Sequence, residues 1–285
     1  MTPGALRAIA GRWLAERRPA IDVSVLDHRG SVPRETGTHM LVSATVVAGT
    51  IGGGHLEQVA IAQARQLLAE HDPAASTSPA PCDHGYALGP SLGQCCGGSL
   101  TLRHQLLSAA SLASWPGAQP RFELQLHGAG HVGRAIVKLL ADIDCRVTWV
   151  DQRESEFPPD RSDLPPHIQI VTSDAPEADV ADAAPGSVYL VLTHSHDLDL
   201  RITEAILRRG DFAWLGLIGS ATKRARFMRR YEQRGITPDQ IDRITCPIGL
   251  PGIDGKEPAV IAVAVVAQLL ALPAPSSVTH PYTTT

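Results

Sequence analysis

Two cysteines stand side by side in the run Leu92-Gly93-Gln94-Cys95-Cys96-Gly97-Gly98. Adjacent thiols are a poor structural device, because a vicinal disulfide is strained and one metal ion is not easily chelated by both. The flanking glycines expose backbone N–H groups, which lower a thiol's pKa or cradle an anion. The pair, with Gln94 and Gly97 beside it, is therefore a candidate for soft-metal or sulfur chemistry. A buried cysteine in a tight turn is the plainer alternative. Cys82, read as lying in a loop upstream, is a third thiol that folding could bring near.

A second constellation is Gly128-Ala129-Gly130-His131-Val132-Gly133, which follows the strand-like Phe122–His127 and opens an amphipathic helix. In a strand–turn–helix context Gly128 permits the tight turn, Gly130 lets backbone approach a pyrophosphate, and Gly133 allows close helix–strand packing. Asp151 ends the next strand, where a ribose hydroxyl would be held, and Arg153 follows two residues on. The plainer reading of Asp151 is a strand-end carboxylate that caps the next loop. If Ser187–His194 is the fourth strand, it lies beside the first, and His127, His131, His194, His196 and Asp197 gather at one crevice. Their spacing fits no standard zinc motif, so a polar rim in contact with ligand is preferred to a metal site.

Gly52-Gly53-Gly54 opens another helix, with His55 and Glu57 in its first turn, and makes a second candidate anion cradle. Arg34, in Ser31-Val-Pro-Arg-Glu-Thr-Gly37, is a candidate phosphate grip. Ser220 is placed to cap a third helix, where Lys223 and Arg224 oppose the macrodipole unless something anionic sits there. Arg226, Arg229 and Arg230 read as a solvated face.

The elements that must position these groups fall into two sets. A mixed pattern of helix and strand occupies residues 1–107, a small, Pro/Gly-rich stretch at 108–120 reads as a linker, and strands then alternate with helices over 121–275. That alternation implies a parallel sheet covered on both faces. The expected fold is α/β, a small mixed α/β N-terminal domain followed by a Rossmann-like doubly wound parallel-sheet domain. Residues 276–285 read as a flexible tail. The apolar run Ala259–Leu272 is expected to be a buried helix, and its lack of charge suggests a homodimer contact.

Composition agrees. At about 150 residues per domain, 285 residues make two cored domains. Aromatics are 4%, too few for ring stacking along single-stranded nucleic acid, and the net charge of -4 argues against binding polyanions by bulk charge. All 25 basic residues except Lys138, Lys223 and Lys256 are arginine, which reads as base-composition bias. Neither an export signal nor a membrane span is evident, since the longest apolar run falls short of the roughly 20 residues required. Five cysteines, an odd number, then suit free thiols in a cytoplasmic setting.

Taken together, Gly30–Val42, Gly49–Glu57, Leu92–Leu100, His127–Ala141, Val150–Pro158, Val191–Leu200, Gly216–Phe227 and Cys246–Ala262 resemble the XdhC/CoxI family of accessory proteins for xanthine dehydrogenase and related molybdenum hydroxylases. The resemblance implies a protein that binds the molybdenum cofactor (molybdopterin), protects it while a cysteine desulfurase adds the terminal sulfur, and delivers it to apo-xanthine dehydrogenase. It implies no turnover chemistry of its own and a role in purine catabolism. The glycine-rich helix starts at Gly128–Gly133 and Gly52–Gly54 suit the phosphate of that cargo, and a soft thiolate from Cys95 or Cys96, with Cys96 preferred, suits its molybdenum. The helix after Gly255 is less acidic and polar than the family leads one to expect. Two other classes remain open. One is an NAD-dependent oxidoreductase resting on Asp151, although no Lys/Tyr or Ser/Tyr proton-transfer pair follows the Rossmann core. The other is a thiol redox or sulfur-transfer protein using Cys95 and Cys96.

Overall fold

The computed structural model describes residues 1–71, 80–88, 97–117, 120–162 and 164–273. The chain divides into two compact units, Met1–Ala118 and Gln119–Thr285. In the first, α1 (Pro3–Ala15), β1 (Ala20–Arg29), β2 (His39–Ser43), β3 (Val47–Gly49), α2 (Gly54–Glu70), β4 (Cys82–Ala87), β5 (Ser99–Leu106) and α3 (Ala109–Ala113) build an antiparallel sheet ordered β3-β2-β1-β5-β4. Alternation along the strands divides its side chains between two cores. Val23, Val25, Leu100 and Leu102 pack with Leu56, Ala60 and Ala64 of α2, whereas Leu41 and Ala48 pack with Leu6, Ala10 and Trp13 of α1.

Residues 108–120, expected to be a linker, contain α3 and belong to this packing as far as Trp115. Ser108 and Ser111 cap the helix reciprocally. Trp115 is buried, its indole N–H donates to Asp22 at 2.8 Å, and its ring stacks on His39 at 4.2 Å between centroids. Arg7 donates to the carbonyls of Leu112 and Trp115 at 3.0 Å each. Small residues suggested slack, but the single large ring between them supplies the anchor. Cys82 likewise opens an edge strand and does not lie in a loop. Cys-Asp-His-Gly-Tyr-Ala lacks the β-branched run that marks a strand, and it pairs on one side only, with β5.

The second unit contains β6 (Glu123–His127), α4 (His131–Leu140), β7 (Arg146–Asp151), β8 (Ile168–Thr172), α5 (Pro176–Asp179), β9 (Val188–Val191), α6 (His196–Arg209), β10 (Trp214–Leu217), α7 (Ala221–Gln233), α8 (Pro238–Asp242), β11 (Ile244–Thr245) and α9 (Pro258–Leu270). All five strand pairs are parallel, in the order β11-β10-β9-β6-β7-β8. This is the doubly wound Rossmann arrangement, with its switch point between β6 and β9. Leu124, Leu126 and Trp149 pack with residues of α4 and α9; Tyr189, Val191, Leu215 and Leu217 pack with residues of α6 and α7. The apolar α9 buries Ala262, Val265, Val266 and Leu269, while Val263 and Leu270 stay exposed. Among the described residues no helix is long and apolar enough to cross a membrane.

Candidate functional site

The turn after β6 explains two of its three glycines by packing. Gly128 sits at φ +128°, and a Cβ there would lie 2.5 Å from the Leu192 carbonyl oxygen. At Gly133 a Cβ would come within 2.1 Å of the Gly128 carbonyl oxygen, which also accepts the Trp149 indole N–H at 3.0 Å. Gly130 differs. Its φ of −66° suits any residue, and a Cβ there would meet nothing within 4 Å among the described residues. Neither backbone nor neighbours require glycine at this position, so the missing side chain leaves room for something else. The start of α4 has no side-chain cap, so its first N–H groups are not satisfied by a capping side chain.

Asp151 acts as the strand-end carboxylate of the plainer reading, binding the loops on either side of it. One carboxylate oxygen accepts from the Ala129 N–H at 2.7 Å and the other from the Arg153 N–H at 2.9 Å, and the Arg153 guanidinium closes on both. Burial alone would raise its pKa, but Arg153 and the two N–H groups outweigh this and hold it below the usual carboxylate value. Arg153 also reaches Glu156, which pairs with Arg134, and Arg134 returns to the Ala129 carbonyl. The glycine turn is thus laced to β7 by a closed network of charges.

The other two helix starts are filled from within. At α2 the Glu57 carboxylate accepts from the N–H groups of Ile51 and Gly53 at 3.0 Å each, and from the Thr50 hydroxyl. Gly52 packs there against Pro33, which a Cβ would approach to 2.3 Å. At α7 Ser220 caps the helix, and the anion that relieves Lys223 is the buried Asp199, 2.6 Å from its Nζ. Asp199 also accepts from the N–H and hydroxyl of Thr193. The charge stretches Val191–Leu200 and Gly216–Phe227 therefore meet in a structural ion pair.

His131, His194 and His196 lie exposed on the loops and helix starts at the carboxyl edge of the parallel sheet, and Asp197 pairs with Arg230 at 3.4 Å. His127, expected with them, is buried instead. Its ring stacks on Tyr189, neither nitrogen has a partner among the described residues, and burial lowers its pKa to about 4. Among the described residues no group of three or more His, Cys, Asp or Glu could hold a metal ion. Burial raises the Cys145 thiol to about 12 and pushes the Cys246 thiol up as well. Gln94, Cys95, Cys96 and the tail at 276–285 lie outside the described residues. Gly97 is described, and Gly98 beside it meets Gly30 across the sheet, where a Cβ at Gly98 would come within 2.3 Å of the Ser31 carbonyl oxygen. The motifs beginning at Gly30 and ending at Gly98 are thereby brought together.

Sequence reasoning passed over a cleft of about 390 Å³ on the N-terminal sheet, lined in part by Asp27, Arg29, Gly85, Ala87, Ser99 and Thr101. The available signal was Gly85 itself, a glycine inside a six-residue strand.

Comparison with known proteins adds the family. The profile described as the XdhC Rossmann domain matches residues 124–269, and that of the XdhC and CoxI family matches 13–77. YqeB of Escherichia coli strain K12, an uncharacterized protein, is 29% identical over 260 residues; the match covers 88% of this chain. The chain spans only 43% of that relative's length. A crystal structure described as a xanthine dehydrogenase from Bacillus halodurans superposes with a TM-score of 0.74 at 18% identity, covering 95% of this chain and 96% of the other. That likeness is one of fold.

Proposed function

The chain belongs to the XdhC and CoxI family, and from that premise we propose that it is a maturation factor for a molybdenum hydroxylase of the xanthine dehydrogenase kind. In this reading it holds the molybdenum cofactor in its molybdopterin or dinucleotide form, shields it while a cysteine desulfurase supplies the terminal sulfur, and passes it to the apo-enzyme in the cytoplasm. The observation that carries the reading is Gly130, which no packing or backbone constraint explains and which lies at the uncapped start of α4.

The residues present fit the phosphate end of such a cofactor. The first N–H groups of α4 donate to phosphate oxygens, the helix dipole favours their charge, and His131 stands exposed at the same turn. Once bound, the cofactor supplies the metal centre on which the hydroxylase does its chemistry. This chain's own part is to bind, orient and protect. An NAD-linked oxidoreductase is the weaker reading, because the carboxylate that would grip the ribose is already engaged by Ala129 and Arg153.

The test is reconstitution. Apo-xanthine dehydrogenase is mixed with isolated cofactor, desulfurase and cysteine, with and without this chain. The reading expects activation to be several-fold greater with the chain present, and Gly130→Leu to remove the gain while the protein stays folded. Equal activation with and without the chain would overturn it.

A further inference from the structure

The bulge at Leu26 resets the alternation of β1, so that Asp27 lies opposite Thr101 and Arg29 opposite Ser99. On the far side of β5, Gly85 lies opposite Thr101 and Ala87 opposite Ser99. Directly opposed residues share a face of a sheet. Leu100 and Leu102, between these positions, are buried with α2, so the six residues stand on the opposite face. They form two ranks across three strands: a charge on β1, a hydroxyl on β5, and almost no side chain on β4. The next rank is closed by the Arg103–Asp83 pair, with two contacts of 2.8 Å.

The open ranks differ from the closed one in a way that points to a ligand. Among the described residues neither Asp27 nor Arg29 makes an ion pair or side-chain hydrogen bond, and both are exposed. Gly85 has no positive φ, and a Cβ there would meet nothing within 4 Å among the described residues. A mid-strand glycine costs sheet stability, and here neither backbone nor packing compensates. Its evident effect is to keep the floor of the 390 Å³ cleft low.

We infer that this trough binds a flat 2-amino-4-oxopyrimidine ring, the edge shared by pterins and guanine. Three strands at about 4.8 Å spacing and two ranks about 7 Å apart give a floor the size of a bicyclic heterocycle. The Asp27 carboxylate accepts two parallel N–H groups, from the exocyclic amine and the adjacent ring nitrogen. Arg29 donates to the ring carbonyl oxygen, and Ser99 and Thr101 serve the remaining edge. One acid beside one base disfavours a bare anion or cation and selects a neutral ligand carrying donors and acceptors together. Adenine offers the carboxylate a donor beside an acceptor where two donors are needed, so it is rejected. The inference deepens the cofactor-binding reading and rests on it.

The full chain is titrated with pterin-6-carboxylate, followed by its fluorescence, with guanosine monophosphate and adenosine monophosphate as competitors. Saturable binding is expected, weakened at least tenfold in Asp27→Asn and in Gly85→Val, with melting temperatures no lower than that of the parent chain. Adenosine monophosphate should not compete. Stronger competition by guanosine monophosphate would identify guanine as the natural source of the edge and uphold the site. Affinity unchanged in both variants would overturn the inference. So would pterin binding that depends on Gly130 and not on Asp27, although cofactor binding would then stand. Failure of the reconstitution test with an intact pterin site would instead remove the maturation reading and leave the trough.

Discussion

The turn after β6 and the open face of the N-terminal sheet each set a carboxylate and an arginine beside a glycine, and the two carboxylates behave oppositely. Asp151 is enclosed by Ala129 and Arg153. Asp27 has no partner among the described residues. The first belongs to a motif visible in sequence, the second to no motif. The contrast shows that a fingerprint's acidic residue can be an element of fold, holding the glycine turn in place. Gly130 and Gly85 carry no packing or backbone constraint among the described residues, a property Gly4, Gly11, Gly97 and Gly117 share; what sets the two apart is the uncapped helix start beside the one and the cleft beside the other.

Substitutions separate the two kinds of position. Gly133→Ala drives a methyl group into the Gly128 carbonyl and should cost on the order of 5 kcal/mol, seen as loss of soluble protein. Lys223→Met leaves Asp199 buried without its cation and should cost about 3–5 kcal/mol in urea unfolding. A smaller effect is expected of pH at His127. Its folded pKa of about 4 lies below an unfolded value near 6.5, so the unfolded chain takes up the proton first as pH falls. Stability is full above about pH 7 and declines between about 6.5 and 4, by on the order of 3 kcal/mol from this group. His127→Phe should flatten that part of the pH profile; an unchanged slope would mean the ring finds a partner. Smallest of all, Gly130→Ala and Gly85→Ala should each change stability by no more than about 1 kcal/mol, and in the stabilising direction if at all. If either destabilises like Gly133→Ala, the distinction between packing glycines and open glycines fails.

Much of the fold was legible because its signals are local and periodic. The alternation of strands and helices after residue 120 implied the parallel sheet, and the order of strands placed β9 beside β6. The trough was not legible. Asp27, Thr101 and Gly85 are far apart in sequence, and what aligns them is antiparallel register and a one-residue bulge, neither of which composition reveals. The same limit applies at the helix starts. Glycine before a helix signals a place for an anion, but whether that anion is Glu57, Asp199 or a ligand depends on which side chain folds back. For His127, period-two alternation along β6 would have placed it opposite Leu126, inside the second layer of the core.

The most direct test is to isolate the chain without oxygen from a host that makes the molybdenum cofactor, denature it, oxidise the supernatant, and quantify fluorescent pterin and NAD per chain. The account predicts pterin approaching one per chain, little NAD, and loss of the pterin in Gly130→Leu. NAD in place of pterin, or neither, would contradict it.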